Sequence, residues 1–427
     1  MKDGIELWLS DPNRVLLTLF LFFLPTQLGK HFWPLFSFVN GIRSDLLSPT
    51  FYFSDLIIIA LILLNMKNFR IVVKKIKISK INRLAFLVIV LSIFASIIFS
   101  LSPAAGLYGL IKILEYILLG LVLYLKKDIL FEIIPKVLPI SIIFESSLAI
   151  LQFISKGSIN GIFYFFGERS FNSQTPNIAN AVINSSLVLR PYGTLPHPNV
   201  LAGFLLIGIT FLLFQSFKKN YLTMPALFLG TIALLLSLSR VCIILFLLTI
   251  IIYAVKKYLS KDLLKQNILL ILLFLITFSF LFSTISGRFK LDLSDTSIEA
   301  RKLLINSADL MIKEKPIFGV GLNNFLPSLP KFYSYKESIF YLQPVHNVPL
   351  LIFSQVGLIA GIIILYFFVV VFYRANFIFK LILFQIFVIS ILDHYFLTIQ
   401  QGQILLTFAL VLALTKEFFG DRIRQRA

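Results

Sequence analysis

The sequence predicts an all-α, polytopic membrane protein, on three observations. Apolar residues make up 58% of the 427-residue chain, whereas charged residues make up only 14%. Segments of about 20 apolar residues, long enough to cross the ~30 Å hydrocarbon core as helices, recur from one end of the chain to the other. Because backbone groups in lipid must be hydrogen-bonded within the protein, we predict that these segments are α-helices.

About twelve transmembrane helices are predicted along the chain. No small-residue cleavage site follows the first apolar segment, so we expect this segment to be retained as a span. The chain 1–427 is predicted to form a single membrane-embedded domain, with a long external loop at 286–346 that contains short helices. The predicted spans are 15–36, 51–66, 84–101, 107–125, 133–154, 197–217, 222–239, 241–255, 267–285, 347–372, 377–393 and 400–418.

Charged residues orient the predicted spans. Most Lys and Arg residues fall in alternate short loops, on the side that holds both termini. Since cytoplasmic loops are enriched in Lys and Arg, we predict that both termini are cytoplasmic and that 286–346 is external. The formal net charge of +19 does not indicate nucleic-acid binding, because the basic residues are scattered over these short loops. Attraction to anionic lipid headgroups accounts for the run of basic residues from Lys67 to Arg83.

A polar segment at 190–199, directly before the sixth span, is the first candidate for a functional site. Its sequence is Arg-Pro-Tyr-Gly-Thr-Leu-Pro-His-Pro-Asn. The three prolines exclude a regular helix, and Gly193 permits close backbone approach. A rigid re-entry turn would explain the prolines and the glycine by themselves. The presence of Arg190 and His197 in the same segment favours the wall of a site.

Arg240 is the second candidate. It follows Ser237-Leu-Ser239 at a predicted turn between the seventh and eighth spans, near the external boundary. A charge near the hydrocarbon is costly, so we expect Arg240 to face a protein interior or a wet cavity. An arginine that snorkels to the membrane surface without a partner is the alternative.

The external loop 286–346 is predicted to contain an amphipathic helix from near Ser297 to Pro316, with Arg301 on its first turns. We expect the apolar side of this helix to lie on or near the membrane. Gly319-Val-Gly321 follows this helix, and we predict a tight turn there. A phosphate-binding loop is the less favoured interpretation, because a lone Gly-x-Gly is only weak evidence for phosphate binding.

The four histidines of the chain, His31, His197, His346 and His394, all map to predicted external boundaries. This clustering favours a shared polar cavity over four independent structural roles. Histidine titrates near neutral pH and is the usual general base. Asn347 follows His346 directly, and Gln400 opens the last span on the same side.

Motifs for nucleotides and metals are missing from the sequence. It contains no P-loop, no dinucleotide-binding glycine motif and no His-Glu-x-x-His, and its single Cys242 excludes a cysteine-built metal site. We therefore expect no cofactor and no metal, with Arg or Lys supplying the cations for any phosphate. Asp292 and Asp295 are expected to pair with nearby arginines, and a weak Mg²⁺ site is the alternative.

These motifs, in this order, resemble the O-antigen ligase and polymerase superfamily. The resemblance extends from about residue 190 to 403 and rests on four segments: Arg-Pro-Tyr-Gly-Thr-Leu-Pro-His-Pro-Asn at 190–199, Ser-Leu-Ser-Arg at 237–240, Arg301 with Pro-Ile-Phe-Gly-Val-Gly-Leu-Asn-Asn-Phe at 316–325, and His-Asn at 346–347. It implies a GT-C-like fold in the bacterial inner membrane, with the active site facing the periplasm.

The resemblance also implies an activity, that of an inverting, metal-independent glycosyltransferase. Such an enzyme moves a glycan from undecaprenyl diphosphate to a hydroxyl of lipid A–core or of another glycan or glycolipid acceptor. Arg240 and Arg301 match the two arginines expected to bind the diphosphate, and His346 matches the histidine expected to activate the acceptor. The predicted substrate-binding residues are Arg190, His197, Asn199, Gly319, Gly321, Asn347, His394 and Gln400.

Three alternatives stay open at the level of the sequence. A polymerase of the same superfamily shares these motifs and differs from a ligase in its acceptor. A flippase or other transporter of polyisoprenoid-linked glycans would show internal repeats and deep ionisable groups, and only Glu145 lies deep, since Glu115 can pair with Lys112. A non-catalytic assembly scaffold is the third alternative.

Overall fold

A computed structural model of the protein describes residues 10–70, 79–183, 186–214, 221–260, 265–289, 296–332 and 342–415, without the side chains of 265–267, 269, 283–284 and 296–298. This part of the chain is mainly helical. Its helices are α1 Pro12–Phe22, α2 Phe53–Asn65, α3 Lys80–Ile98, α4 Pro103–Leu125, α5 Lys127–Ser155, α6 Pro198–Phe214, α7 Thr223–Leu236, α8 Arg240–Leu259, α9 Lys265–Phe280, α10 Phe282–Phe289, α11 Thr296–Glu314, α12 Phe325–Ser328, α13 Val348–Val356, α14 Leu358–Arg374, α15 Phe377–Leu392, α16 Tyr395–Thr398 and α17 Gln400–Leu414.

Four of these helices, α3, α4, α5 and α8, are long and apolar enough to cross a membrane. Most of the other predicted spans correspond to shorter apolar helices of 10–17 residues. The chain is therefore a helical membrane protein, and the number of twelve spans stays a prediction.

The chain divides into two compact units. The first comprises Met1–Leu28, Tyr52–Ile57 and Asp128–Asp292, and the second comprises Gly29–Phe51, Ile58–Lys127 and Leu293–Ala427. In the first unit, α6 is buried on every side and packs against α7 and α8. Such an apolar helix belongs at the centre of a bundle. The single membrane-embedded domain stays a prediction.

Short strands depart from the all-α expectation. Within the described residues, three two-stranded sheets pair β1 Gly29–His31 with β4 Thr50–Tyr52, β2 Phe38–Val39 with β3 Ile42–Arg43, and β5 Asn180–Ile183 with β6 Ser186–Leu189. The predicted span 15–36 is wrong in its second half, because α1 ends at Phe22 and β1 follows. The sequence after α1 contains the polar residues Gln27, Lys30 and His31, and Pro25 and Pro34 break its helical continuity.

The tenth predicted span, 347–372, is broken into α13 and α14. Gly357 lies between them with a φ of +82°, a left-handed conformation that glycine adopts without steric cost. A Cβ at this position would lie 1.9 Å from the carbonyl oxygen of Ile317. The glycine at the break therefore allows the 316–325 segment to pack directly on the backbone between α13 and α14.

Helix α11 confirms the predicted helix in the long loop, but its apolar side does not face a membrane. Leu304, Ala308 and Met311 are buried in a core within the second unit. That core also contains residues of the strand-rich segment after α1 and of the segments that flank α13, namely Val39, Leu47, Val320, Phe325, Leu326, Leu329, Val345 and Leu351. The helix is therefore fixed by protein packing, which gives Arg301 a defined position.

Candidate functional site

Two histidines from separate segments meet in the second unit. His346 lies directly before α13, and His394 lies between α15 and α16. Their rings are 4.9 Å apart, centroid to centroid, in an edge-to-face arrangement at 77°. Both are predicted site residues, and their rings are in direct contact.

Asn347 connects the two segments that carry the histidines. Its side-chain oxygen accepts a hydrogen bond from the Leu350 amide at 2.9 Å and so caps α13. Its side-chain nitrogen donates to the carbonyl of Ile391, near the end of α15, at 3.1 Å. Asn347 therefore holds His346 beside His394.

Burial and charge both act on the histidine pair. Burial lowers the pKa of His394 to about 4, although the Asp393 carboxylate opposes this shift. Burial also lowers the pKa of His346, again against Asp393, while the positive charge of Arg301 lowers it further. Both imidazoles are therefore neutral at pH 7, and Arg301 is close enough to act on both of them.

Asp393 is a member of this cluster that the sequence did not single out. A carboxylate oxygen of Asp393 and one ring nitrogen from each of His346 and His394 lie within 4.8 Å of one another. These three residues could hold a metal ion, and no sequence motif indicated this possibility. Gln400, the buried first residue of α17, is the remaining predicted site residue near the C-terminal end of this unit.

The 316–325 segment uses its backbone amides to pack on the break between α13 and α14. The amides of Val320 and Gly321 donate to the carbonyls of Ser354 and Gln355, at 2.7 and 3.0 Å. A Cβ on Gly319 would lie 2.4 Å from the backbone of Gln355. These contacts explain why the turn contains glycine at 319 and 321, since the turn packs directly on another backbone segment. Contact of Gly319 and Gly321 with the substrate stays a prediction.

In the first unit, Arg190 ties the 190–199 segment to the turn before α8. Its Nε donates to the carbonyl of Ser237 at 2.7 Å, and one terminal nitrogen donates to the side chain of Asn199 at 2.6 Å. The Nδ1 of His197 accepts from the Asn199 amide at 3.1 Å. Two motifs that are distant in sequence are thus hydrogen-bonded to each other.

Arg240 is the first residue of α8, after a turn in which Leu238 has a φ of +53°. Its side chain is half-buried, and its Nε donates to the carbonyl of Arg288 at 2.8 Å. The guanidinium is therefore anchored by one edge at the end of α10. Asp292 and Asp295, the other charged residues considered in this part of the chain, lie outside the described residues.

A buried polar group on α5 fixes the backbone of the 190–199 segment. The side-chain oxygen of Gln152 accepts from the amides of Tyr192 and Gly193, at 2.9 and 2.8 Å. Its nitrogen donates to the carbonyl of Gly193 and to Glu168, at 3.0 and 2.9 Å. Sequence reasoning missed Gln152, although a glutamine inside an apolar helix was a usable signal.

Glu145, the deep ionisable group of the transporter alternative, has a structural role in this arrangement. It accepts hydrogen bonds from the backbone and the hydroxyl of Thr194, at 2.8 and 2.6 Å. Lys112 and Glu115 form the expected ion pair, at 2.6 Å. Both observations assign these charges to interactions within the protein.

Comparison with known proteins agrees with the motifs. Residues 225–365 match a family model described as O-antigen ligase. No curated protein matches the chain. The matched region contains Arg240, Arg301, Gly319, Gly321 and His346, and so covers most of the residues that carried the resemblance. Residues 225–365 are therefore similar to the O-antigen ligase family, and this similarity supports the resemblance of the motifs to the O-antigen ligase superfamily.

Proposed function

We propose that the protein transfers a glycan from undecaprenyl diphosphate to an acceptor hydroxyl on the external face of the inner membrane. The observation that carries this proposal is the group formed by His346 and His394, with Arg301 close enough to act on both. A neutral, partly buried imidazole with an arginine charge nearby combines a proton acceptor with a binding site for a charged leaving group.

In the proposed reaction, the acceptor oxygen attacks the anomeric carbon as the bond from that carbon to the diphosphate oxygen breaks. His346 takes the hydroxyl proton, and Arg301 offsets the charge that develops on the departing lipid diphosphate. The family resemblance gives Arg240 the same role as Arg301. A single displacement of this kind inverts the anomeric configuration and needs neither a nucleotide nor a metal ion.

The remaining predicted residues fit supporting roles in this proposal. His394 packs against the ring of His346, and Asn347 holds the two segments together. Arg190 and Asn199 position the turn before Arg240 through their bonds to each other and to Ser237. We propose that Gln400 and His197 line the acceptor or glycan side, and that Gly319 and Gly321 act by close packing.

The test is transfer by purified protein in excess EDTA, without nucleotide, from an undecaprenyl-diphosphate-linked glycan. Two acceptors separate the two members of the superfamily: a lipid A–core glycolipid for a ligase, and the lipid-linked glycan itself for a polymerase. Product is expected with one of them, with inverted configuration, and none with the Arg301→Ala variant. A strict requirement for added Mg²⁺ or Mn²⁺ would contradict the arginine-based mechanism and direct attention to Asp292 and Asp295.

A further inference from the structure

The cluster of His346, Asp393 and His394 has the donor set of a transition-metal site. Two imidazole nitrogens and one carboxylate are the ligands of many zinc sites that keep an open coordination position. The three ligand atoms lie within 4.8 Å of one another. Tetrahedral zinc with ligand distances of about 2.0–2.2 Å places two ligand atoms about 3.3–3.6 Å apart, so side-chain rotations that bring these atoms closer by about 1–1.5 Å would close the cluster on one ion.

One of the two tautomers of His394 that its hydrogen bonds allow leaves a ring nitrogen available as a ligand. The hydroxyl of Thr398 donates to the carbonyl of His394 at 3.2 Å and lies 2.6 Å from the Nδ1 of that ring. With the hydroxyl hydrogen on the carbonyl, Nδ1 donates to the hydroxyl oxygen and Nε2 keeps its lone pair. Such an outer hydrogen bond fixes the tautomer of metal-binding histidines.

The Nδ1 of His346 is buried and makes no hydrogen bond of full geometry to the residues that the structure describes, although the Pro344 backbone is close enough to act on this ring. A buried polar atom without a partner costs free energy that a ligand can recover. His346 and Asp393 are only half-buried, which gives an ion a path from solvent. A pair of edge-to-face histidines with a purely structural role would need neither the unsatisfied Nδ1 of His346 nor the partial exposure of His346 and Asp393.

We propose that His346, Asp393 and His394 form an inhibitory site for Zn²⁺ or a similar divalent transition metal. A bound ion would occupy the lone pair with which His346 is proposed to accept the hydroxyl proton, and it would block that step. The inhibition rests on the proposed function, whereas the binding of the ion does not. Mg²⁺ is excluded as the occupant, because it prefers oxygen ligands.

Replacement of Arg301 provides a second, independent test of this proposal. Its positive charge acts on both histidines and opposes a bound cation. Replacing Arg301 by Ala should therefore strengthen zinc binding by about threefold or more, although the same change should abolish transfer. If Arg301 only stabilised the fold, its replacement would not strengthen zinc binding while abolishing transfer.

The test is a zinc titration of purified, EDTA-stripped and dialysed protein, with a chromogenic chelator as competitor. We expect one equivalent to bind, with at least about tenfold weaker binding in Asp393→Asn and in His394→Ala. Binding should be unchanged in His31→Ala, since His31 instead bonds to Ser48 and Thr50 at 2.6 and 2.8 Å. Thermal unfolding without metal verifies that each variant is folded.

Equal affinity in the wild type and the Asp393→Asn and His394→Ala variants would overturn the site, as would the absence of a one-equivalent phase. If zinc binds as expected but does not inhibit transfer, the inhibitory role is overturned while the site stands. A failure of the proposed function is distinguishable from both results, because the wild type would then show no transfer in EDTA whatever its zinc affinity.

Discussion

Replacing Gln152 by Leu tests how the 190–199 segment is held. Leucine has nearly the volume of glutamine but removes all four hydrogen bonds of this side chain. The amides of Tyr192 and Gly193 would lose an acceptor in a buried environment, and each unsatisfied group costs about 1–3 kcal/mol. The expected loss of stability is therefore about 2–6 kcal/mol. Glu168 is less affected, because it keeps the amides of Ile159 and Asn160 as donors.

The assay for Gln152→Leu is thermal unfolding in detergent, followed by transfer activity at a temperature where the variant is folded. We expect a clearly lower midpoint together with reduced transfer, because Arg190 and the turn before α8 lose their fixed position. Gln174→Leu is the matched control, since Gln174 lies in the segment between Glu168 and Arg190 and its side chain is exposed. A variant with the midpoint and activity of the wild type would refute this account of the segment.

Three further predictions follow from the structure. Arg301→Ala should abolish glycan transfer without lowering the amount of protein in the membrane. Arg301→Lys should restore little of the transfer activity, because lysine lacks the bidentate guanidinium. Arg374→Ala is the control and should retain activity, since Arg374 is exposed. Reporter fusions at Lys67 and Lys331 should indicate opposite sides of the membrane, and the same side for both would contradict the predicted topology. The unfolded state of His394 takes up a proton near pH 6.5 and the folded state only near pH 4. Stability should therefore be complete above pH 6.5 and decline by about 3 kcal/mol as the pH falls to 4. Thermal midpoints of His394→Asn should lack this decline, and an equal decline in the variant would assign it to other groups.

Long apolar segments made most of the helices predictable, because a run of that length in lipid has few other structures available. The errors lie where apolar composition does not specify a helix. The segment after α1 is rich in Phe and Leu yet forms short strands, and Val39 and Leu47 in it pack on the core around α11. The residues against which these side chains pack are determined by the tertiary structure and are not specified by the local sequence.

The break at Gly357 was not predictable from local sequence for a similar reason. A glycine in an apolar run is compatible with a continuous helix, and the need for a left-handed conformation arises from the contact with Ile317. The same contact determines where the amides of Val320 and Gly321 donate. Sequence therefore indicated a turn at Gly319–Gly321, but not what the turn packs against.

The candidate site was predictable in its residue types and less so in its grouping. The scarcity of histidine drew attention to His346 and His394, and the structure brings these two rings into contact. Asp393 is adjacent to His394 but also acts on His346, which is distant in sequence. Gln152 bonds the backbone of Tyr192 and Gly193, about 40 residues away, so no local motif contains either interaction. His31 and His197 have partners of their own, and a single cavity shared by all four histidines stays a prediction.

Transfer by His346→Ala, compared with the wild type, tests the central claim most directly. The measurement is kcat/KM for glycan transfer by purified protein in EDTA across the pH range from 5 to 8. We expect a loss of at least about 10²-fold in the variant. The wild-type rate should fall only as the pH drops below 6.5, because the pKa of His346 is lowered and its neutral form is the base. Near-normal transfer by His346→Ala, or a larger loss in His394→Ala, would show that the base has been misassigned.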